Sequence, residues 1–268
     1  MPQDHFRVEN RIVVVTGGCG QLGRQFTRAL VEAGARVAVF DVAPCDVSGF
    51  SQSDREAVLM VEADITNRNS LEAGLSAVMA KWGVPDALIN NAGLDSPPNA
   101  PIEETGPFES YPESSWDRVM QVNSKGVFLC CQVIGGAMAK AGRGSIVNIG
   151  SIYGLISPDQ RIYEYRRVEG DEFFKPVAYS ASKSSLLNLT RYLATYWASR
   201  KVRVNTLTLA GVFNNQDEQF LKNYTGRMPL GRMAEPDEYN GAIIFLVSDA
   251  SSYMTGANMV IDGGWTAW

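Results

Sequence analysis

The run Arg11-Ile-Val-Val-Val-Thr16 is β-branched and unbroken, and it passes through glycines straight into a helix-period pattern. A strand apolar at every position has to be covered on both faces, as the strands of parallel sheets are. The helix pattern runs from Gln21 to about Ala33 and stops at Gly34, after which a second such strand, Arg36-Val-Ala-Val-Phe40, ends at Asp41. The alternation repeats: a strand near Val58 to Glu62, a helix near Ser70 to Trp82, and a strand Ala87 to Asn90. Next come a helix from about Ser115 to Ala141, a strand Ser145 to Ile149, a helix carrying Tyr179, and a strand Val202 to Leu209. A helix after Pro236 and a last strand, Asn258 to Asp262, complete the pattern. Strands alternating with helices imply right-handed crossovers, so the expected fold is α/β: a doubly wound parallel sheet with helices on both faces. No repeat or linker divides residues 1–268, and one domain is expected.

Two stretches are too long for ordinary connections. One, near 94–114, holds Pro97, Pro98, Pro101, Pro107 and Pro112. The other, near 154–177, holds Tyr163, Tyr165, Phe173 and Phe174 with the cations Arg161, Arg166, Arg167 and Lys175. Both leave from carboxyl ends of strands, where open α/β sheets bind ligands, so both are expected to shape a pocket.

Composition narrows the function. A net charge of −5 with no basic run argues against nucleic acid. No apolar stretch approaches the ~18 residues of a membrane span, and the polar first residues cannot form a secretory core. A soluble, cytoplasmic protein is expected. The four cysteines, at 19, 45, 130 and 131, fit neither zinc-site nor CxxC spacing, and no metal is expected. The single histidine, His5, excludes a Ser-His-Asp hydrolase and most histidine acid–base schemes.

Directly after the first strand stands Thr16-Gly17-Gly18-Cys19-Gly20-Gln21-Leu22-Gly23. Within it Gly18-x-Gly20-x-x-Gly23 matches a dinucleotide fingerprint in its required strand–turn–helix setting. Such glycines allow a tight turn and close approach of backbone to a pyrophosphate, while the helix start offers unpaired N–H groups. Asp41, 18 residues after Gly23, ends the next strand, where a carboxylate can hold the ribose hydroxyls. A carboxylate there repels the 2′-phosphate of NADP, and Val42-Ala43-Pro44 offers no cation, so NAD is expected over NADP.

Tyr179-Ser-Ala-Ser-Lys183 places a phenol and an ammonium one helical turn apart. A cation ~4 Å away at an effective dielectric of ~20 is worth ~4 kcal/mol. Desolvation aside, that is roughly three pKa units, enough to bring a phenol into useful acid–base range.

With these pieces in order the chain resembles the short-chain dehydrogenase/reductase family from Asn10 to Gly264. The likeness rests on the glycine-rich turn at 16–23, Asp64, Asn90-Asn91-Ala92-Gly93, Asn123, Asn148-Ile-Gly-Ser151, Tyr179-x-x-x-Lys183, Val204-Asn205 and Ile261-Asp262-Gly263-Gly264. The resemblance implies a Rossmann-like sheet of about seven parallel strands, a homotetramer (or homodimer), and hydride transfer between a secondary alcohol and a ketone. It makes Tyr179 the general acid/base and Ser151 the group that polarises the substrate oxygen. Lys183 would lower the tyrosine's pKa and bind the nicotinamide ribose, and Asn123 would hold a water relaying protons to Lys183. Asp64 would contact the adenine, with Ile65 beside it, and Asn91, Ala92 and Gly93 would flank the ribose. Gly211 and the Phe213 backbone, with Asn214 and Asn215, would face the nicotinamide carboxamide.

The chain departs from the family in several places, with Ala210-Gly211 for the usual Pro-Gly after the sixth strand and Asn214-Asn215 for the usual threonine near Gly211. Gln21 stands where the shorter branch usually has glycine, and Ser151 and Tyr179 lie 28 residues apart, wider than usual, with the second long stretch between them. The ending Asp262-Gly-Gly-Trp-Thr-Ala-Trp268 is similar to tails of members acting on sugars, polyols and sugar acids, and the chain also resembles oxidoreductases of surface-glycan and flagellin-modification pathways. A carbohydrate-like small molecule is the expected substrate. Two rivals stand beside this reading: a sugar-nucleotide epimerase or dehydratase with tightly held NAD, and a non-catalytic NAD-binding scaffold.

Overall fold

The computed structural model describes residues 4–45, 51–95, 102–167 and 172–268. Seven strands form one parallel sheet: β1 (Ile12–Thr16), β2 (Arg36–Asp41), β3 (Val58–Glu62), β4 (Ala87–Asn90), β5 (Gly144–Ser151), β6 (Val202–Leu209) and β7 (Asn258–Ile261). Their order across the sheet is β3-β2-β1-β4-β5-β6-β7. The chain works outward from β1 to one edge, returns beside it at β4, and then works outward to the other edge. The switch between β1 and β4 opens a crevice at the carboxyl ends, with Val15 opposite Ile89 in register.

Helices α1 (Gln21–Glu32), α2 (Arg68–Lys81), α3 (residues 113–141), α4 (Val177–Trp197), α5 (Glu218–Thr225) and α6 (Asn240–Val247) cover the sheet or its carboxyl end. On one face Val14, Ala38, Leu88, Ile146 and Val204 pack against Leu71 and Leu75 of α2, Ile134 and Met138 of α3, and Leu186 and Trp197 of α4. On the other, Val13, Val15, Ile89, Val147 and Leu207 pack against Phe26 and Leu30 of α1 and Ile243 and Leu246 of α6. Successive residues of β1 thus enter opposite cores, which is why all five of its positions are apolar or buried.

Two features differ from the sequence reading. Helix α3 widens into π turns at Gln121–Gly126 and Cys131–Gly135, and the first of these carries Asn123. Helix α5 was not foreseen: it starts on Asp217, whose side chain caps the Phe220 N–H, and it packs beyond the sheet's carboxyl end. Pro97, Pro98 and Pro101 of the first long stretch lie outside the described residues.

Candidate active site

A cleft of about 950 Å³ runs along the carboxyl ends of the strands, from Asp41 and Asp64 at one end to Ser151, Tyr179 and Tyr224 at the other. The turn after β1 is made by steric necessity. Gly17 has φ +60°, and a Cβ there would lie 2.7 Å from Ala92 Cα, so Ala92 is the far wall of the turn. A Cβ on Gly23 would strike the Gly17 carbonyl and the Gly18 backbone. Gly18 and Gly23 therefore shape the loop from behind, while Gly17, Gly20, Gln21 and Leu22 line the cleft.

Helix α1 begins at Gly20 with no side-chain cap and no acidic residue in its first turn, leaving its end polar and positive. Asn91 braces the turn by donating to the carbonyls of Thr16 (3.0 Å) and Gly17 (2.9 Å), and Thr16 Oγ1 accepts from the N–H groups of Asn91 and Ala92.

Asp41 Oδ2 accepts from the Cys19 N–H (3.0 Å) and Oδ1 from the Ala43 N–H (3.2 Å). The carboxylate thereby joins the two loops that leave β1 and β2. A second link, not foreseen, is a disulfide between Cys19 and Cys45, with Cα atoms 5.0 Å apart. The sequence held a topological clue: loops leaving the carboxyl ends of adjacent parallel strands meet. Such a bridge is unusual in the reducing compartment expected above. Cys130 and Cys131 are buried thiols, and burial pushes Cys131 up to about 12. Asp64 lines the cleft with Asp41 and accepts from the Thr66 N–H and hydroxyl, both at 2.8 Å; Ile65 is buried beside it.

At the other end, Ser151 closes β5 and accepts the Tyr153 N–H at 3.2 Å, so it caps a turn, and its hydroxyl lies near enough to Tyr179 to favour the phenolate. Tyr179 lies in the first turn of α4 and Lys183 in the next, with Lys183 Nζ 5.8 Å from the Tyr179 ring centre. Helix α4 comes this close because Gly154 has no side chain: a Cβ there would lie 2.8 Å from the Lys183 carbonyl carbon. A buried chain of polar groups, Asn90 to Asn148 to Thr190 to Thr206, with each step 2.8 Å, ties α4 to the sheet.

The expected acidification of Tyr179 by Lys183 is not what the geometry gives. Burial pushes the Tyr179 hydroxyl above its ordinary value, the Asp95 charge adds to that, and the Ser151 hydrogen bond opposes both. Lys183 donates to the Ile149 carbonyl at 2.8 Å, and burial brings its amine down to about 8. Desolvation, which the spacing of the two groups does not reveal, is the largest cause of both shifts.

Asn123 is buried and fully engaged: its side chain accepts from the Leu94 N–H (2.7 Å) and donates to the Leu94 carbonyl (2.8 Å) and to Ser182 Oγ (3.0 Å). Its geometry is that of a clamp on the loop residue that follows Asn91-Ala92-Gly93; a Cβ on Gly93 would lie 3.3 Å from Asn123 Oδ1 and 3.5 Å from Lys183 Nζ.

Phe213 departs from expectation. Its N–H donates to the Ala234 carbonyl (2.8 Å) and its carbonyl accepts from Gln21 Nε2 (2.7 Å), so its backbone is committed to internal bonds and the neighbouring Val212 and Asn214 line the cleft instead. Gly211 lines the cleft, and its N–H donates to the Tyr224 hydroxyl at 2.7 Å.

The second long stretch folds over this end. Ile162 and Tyr163 bury into a cluster with Tyr224, Met228, Met233 and Trp265. Asn223 donates to the Ile162 carbonyl, Tyr165 to Asp217, and Arg227 pairs with Asp159. Of the four cations noted in the sequence, Arg161 pairs with Asp159, and Arg166 and Arg167 lie over the Phe173 and Phe174 rings; Lys175 is the one that lines the cleft.

The residues present fit a dinucleotide: a tight glycine turn in which a Cβ at Gly17, Gly18 or Gly23 would strike the neighbouring protein, an uncapped helix start for the pyrophosphate, and a carboxylate at the ribose position. Comparison with known proteins agrees. A family model described as enoyl-(acyl carrier protein) reductase matches residues 20–266. A D-threitol dehydrogenase of Mycolicibacterium smegmatis is 32% identical over 269 residues, covering 97% of this chain and 95% of its own. A short-chain dehydrogenase of Leptospira borgpetersenii solved with bound NAD+ superposes with a TM-score of 0.86 at 32% identity, over 99% of this chain and 97% of its own. A gluconate 5-dehydrogenase of Burkholderia cenocepacia, solved with NADP and tartrate, has a TM-score of 0.84 at 26% identity, over 99% and 98%. With its sheet order, glycine turn and Ser151–Tyr179–Lys183 end all in place, the chain belongs to the short-chain dehydrogenase/reductase family and is an NAD(P)-dependent oxidoreductase acting on a CH–OH group.

Proposed function

We propose that the protein is an NAD-dependent dehydrogenase that interconverts a secondary alcohol and a ketone on a polyol or related sugar derivative. The observation that carries this reading is the single cleft that has Asp41 at one end and the Ser151–Tyr179–Lys183 group at the other. A dinucleotide lying along the cleft supplies the hydride acceptor or donor. The proton falls to this chain's own side chains.

In this reading Ser151 Oγ donates to the substrate oxygen and fixes it beside the Tyr179 hydroxyl, which takes the alcohol proton on oxidation and returns it on reduction. Lys183 supplies positive charge next to the phenol and to the nicotinamide ribose. Asn123 contributes by holding the Leu94 backbone, and so the floor between Gly93 and Lys183; room for a relayed water beside it is part of the proposal. Burial raises the pKa of the phenol and so opposes its ionisation, and the cationic nicotinamide ring of a bound NAD would supply charge that favours it.

Preference for NAD rests on Asp41, whose carboxylate would face a 2′-phosphate with like charge. A polyol substrate is supported by the threitol-oxidising relative and by a substrate end lined with tyrosines. Self-association as a tetramer or dimer is supported by exposed aromatics on α3 and α4 (Trp116, Phe128, Tyr192 and Tyr196) and is checked by light scattering. A cytoplasmic location fits the use of a free dinucleotide.

The test is a spectrophotometric screen with NAD and a panel of polyols, sugars and sugar acids. NADH absorbance should appear with at least one polyol. Tyr179→Phe should lower that rate at least about 100-fold while NAD affinity stays nearly unchanged, the magnitude typical of general acid–base groups. No turnover with any CH–OH compound, or a Tyr179→Phe enzyme of normal rate, would overturn the reading.

A further inference from the structure

The substrate end of the cleft contains an ion pair that none of the family's motif positions supplies. Lys175 Nζ meets Asp95 Oδ1 at 2.5 Å and stands 5.1 Å from the centre of the Tyr179 ring. Both residues line the cleft. The pair is built rather than incidental. The backbone of Lys175 is gripped from both sides by one side chain, Gln160, whose Oε1 accepts the Lys175 N–H (2.8 Å) and whose Nε2 donates to the Lys175 carbonyl (3.3 Å). Next to it, the Phe174 N–H donates to the Thr105 carbonyl at 2.7 Å. Asp95 follows Leu94, whose N–H and carbonyl are both held by Asn123. The Lys175 side chain is 9% exposed against 57% for Asp95, so the ammonium is held deeper than the carboxylate.

From this geometry, and resting on the dehydrogenase reading above, we propose that Asp95 and Lys175 are the specificity element of the site and select a neutral vicinal polyol. A hydroxyl is both donor and acceptor, and a carboxylate beside an ammonium offers it one partner of each kind. With the reacting oxygen on Ser151 and Tyr179, the hydroxyl on the adjacent carbon is the group that falls toward the pair. A monohydric alcohol presents C–H there and forgoes both hydrogen bonds to the pair, which is how a site built for a hydroxyl rejects an analogue lacking it. A carboxylate in the same place meets Lys175 favourably but is repelled by Asp95, so sugar acids are disfavoured as long as Asp95 is charged.

The test compares kcat/KM for the best polyol of the screen, for the same compound with hydrogen in place of the hydroxyl beside the reacting carbon, and for the corresponding sugar acid. Asp95→Asn and Lys175→Gln are the variants, with NAD affinity and melting temperature as folding controls. Because Asp95 also acts on Tyr179, the quantity read is the ratio between substrates, in which any common effect on proton transfer cancels. Each variant should lower the polyol-to-deoxy preference by about 10- to 100-fold, the range for hydrogen bonds to charged groups. Asp95→Asn should also raise the relative use of the acid, and Lys175→Gln should lower it. Ratios unchanged in both variants, or equal losses on all three substrates, would overturn the assignment and leave a structural pair. If the wild-type enzyme oxidises no polyol, the dehydrogenase reading fails first; an active wild-type enzyme whose preference survives both substitutions overturns only the recognition proposed here.

Discussion

The two ends of the cleft are made in different ways. The dinucleotide end is local: its shape comes from Gly17, Gly18 and Gly23 in the turn and helix start that follow β1, from Asn91 directly after β4, and from an aspartate at the end of the neighbouring strand. The substrate end is assembled from far apart. Asp95, the Gln160–Arg166 turn, Lys175, helix α5 and Trp265 come together through aromatic packing and scattered polar contacts such as Tyr165 to Asp217. A binding end common to many enzymes can be fixed by backbone sterics, whereas one that must distinguish small molecules is built from side chains on variable loops.

That contrast can be broken or sharpened by substitution. The largest effect is expected from Gly23→Ala, whose new methyl would strike the backbone of Gly17 and Gly18. NAD affinity should fall at least about 10-fold and stability by about 1–3 kcal/mol, as for overpacked sites, measured by calorimetry and thermal melting. A variant that binds NAD normally would show that the turn yields more than its packing allows.

Next is Asp41→Ser. Removing the carboxylate should shift the NADP-to-NAD ratio of kcat/KM by about 10- to 100-fold toward NADP, a modest share of a like-charge contact. An unchanged ratio would place cofactor choice elsewhere in the loop.

The disulfide gives a smaller, cleaner test, because it ties the glycine loop to the loop after β2 without touching Tyr179. Cys45→Ser, or reduction of the wild type, opens a link between residues 26 apart in sequence. Stability should drop by about 2–4 kcal/mol, the usual range for such links. NAD affinity should weaken a few-fold, and the Tyr179-dependent step should be untouched. A matched fall in kcat would mean that the two ends are coupled.

The smallest effect is a pH dependence at the other end. The Lys183 amine is lowered to about 8 in the folded protein from an ordinary 10.5, so burial of its charge is a penalty fully present below about pH 8. As pH rises from there toward the unfolded value, the folded chain has already lost that proton while the unfolded chain still holds it, and stability rises. The stability gap between Lys183→Met and wild type, measured by denaturant unfolding, should therefore narrow between about pH 7 and pH 10. A constant gap would mean that Lys183 is neutral, or solvated, throughout.

The same contrast explains what could be read from the sequence. Strands Ile12–Thr16 and Val202–Leu209 announce themselves because a strand covered on both faces is apolar at nearly every position. The glycine turn is legible because only glycine fits, and Asp41 because a polar residue ends an apolar strand. Phe213 was assigned to the cofactor by position in a pattern, but whether a backbone N–H is free depends on a partner, Ala234, that sequence spacing does not reveal. Helix α5 was missed because it is short and packs one aromatic face, Phe220 and Tyr224, onto a loop rather than onto the sheet. The pKa of Tyr179 is hidden from the sequence for a related reason. The spacing to Lys183 gives the attraction but not the burial, and the burial wins.

The most direct test of the central claim, that one cleft brings a dinucleotide and a buried phenol to the same substrate oxygen, is a crystal structure with NAD and the best polyol of the screen. The predicted result is a cofactor stretched from Asp41 to Lys183, with the Tyr179 and Ser151 hydroxyls both within about 3.2 Å of the reacting oxygen. A Tyr179 hydroxyl facing away from that oxygen, with the polyol bound beyond its reach, would contradict it.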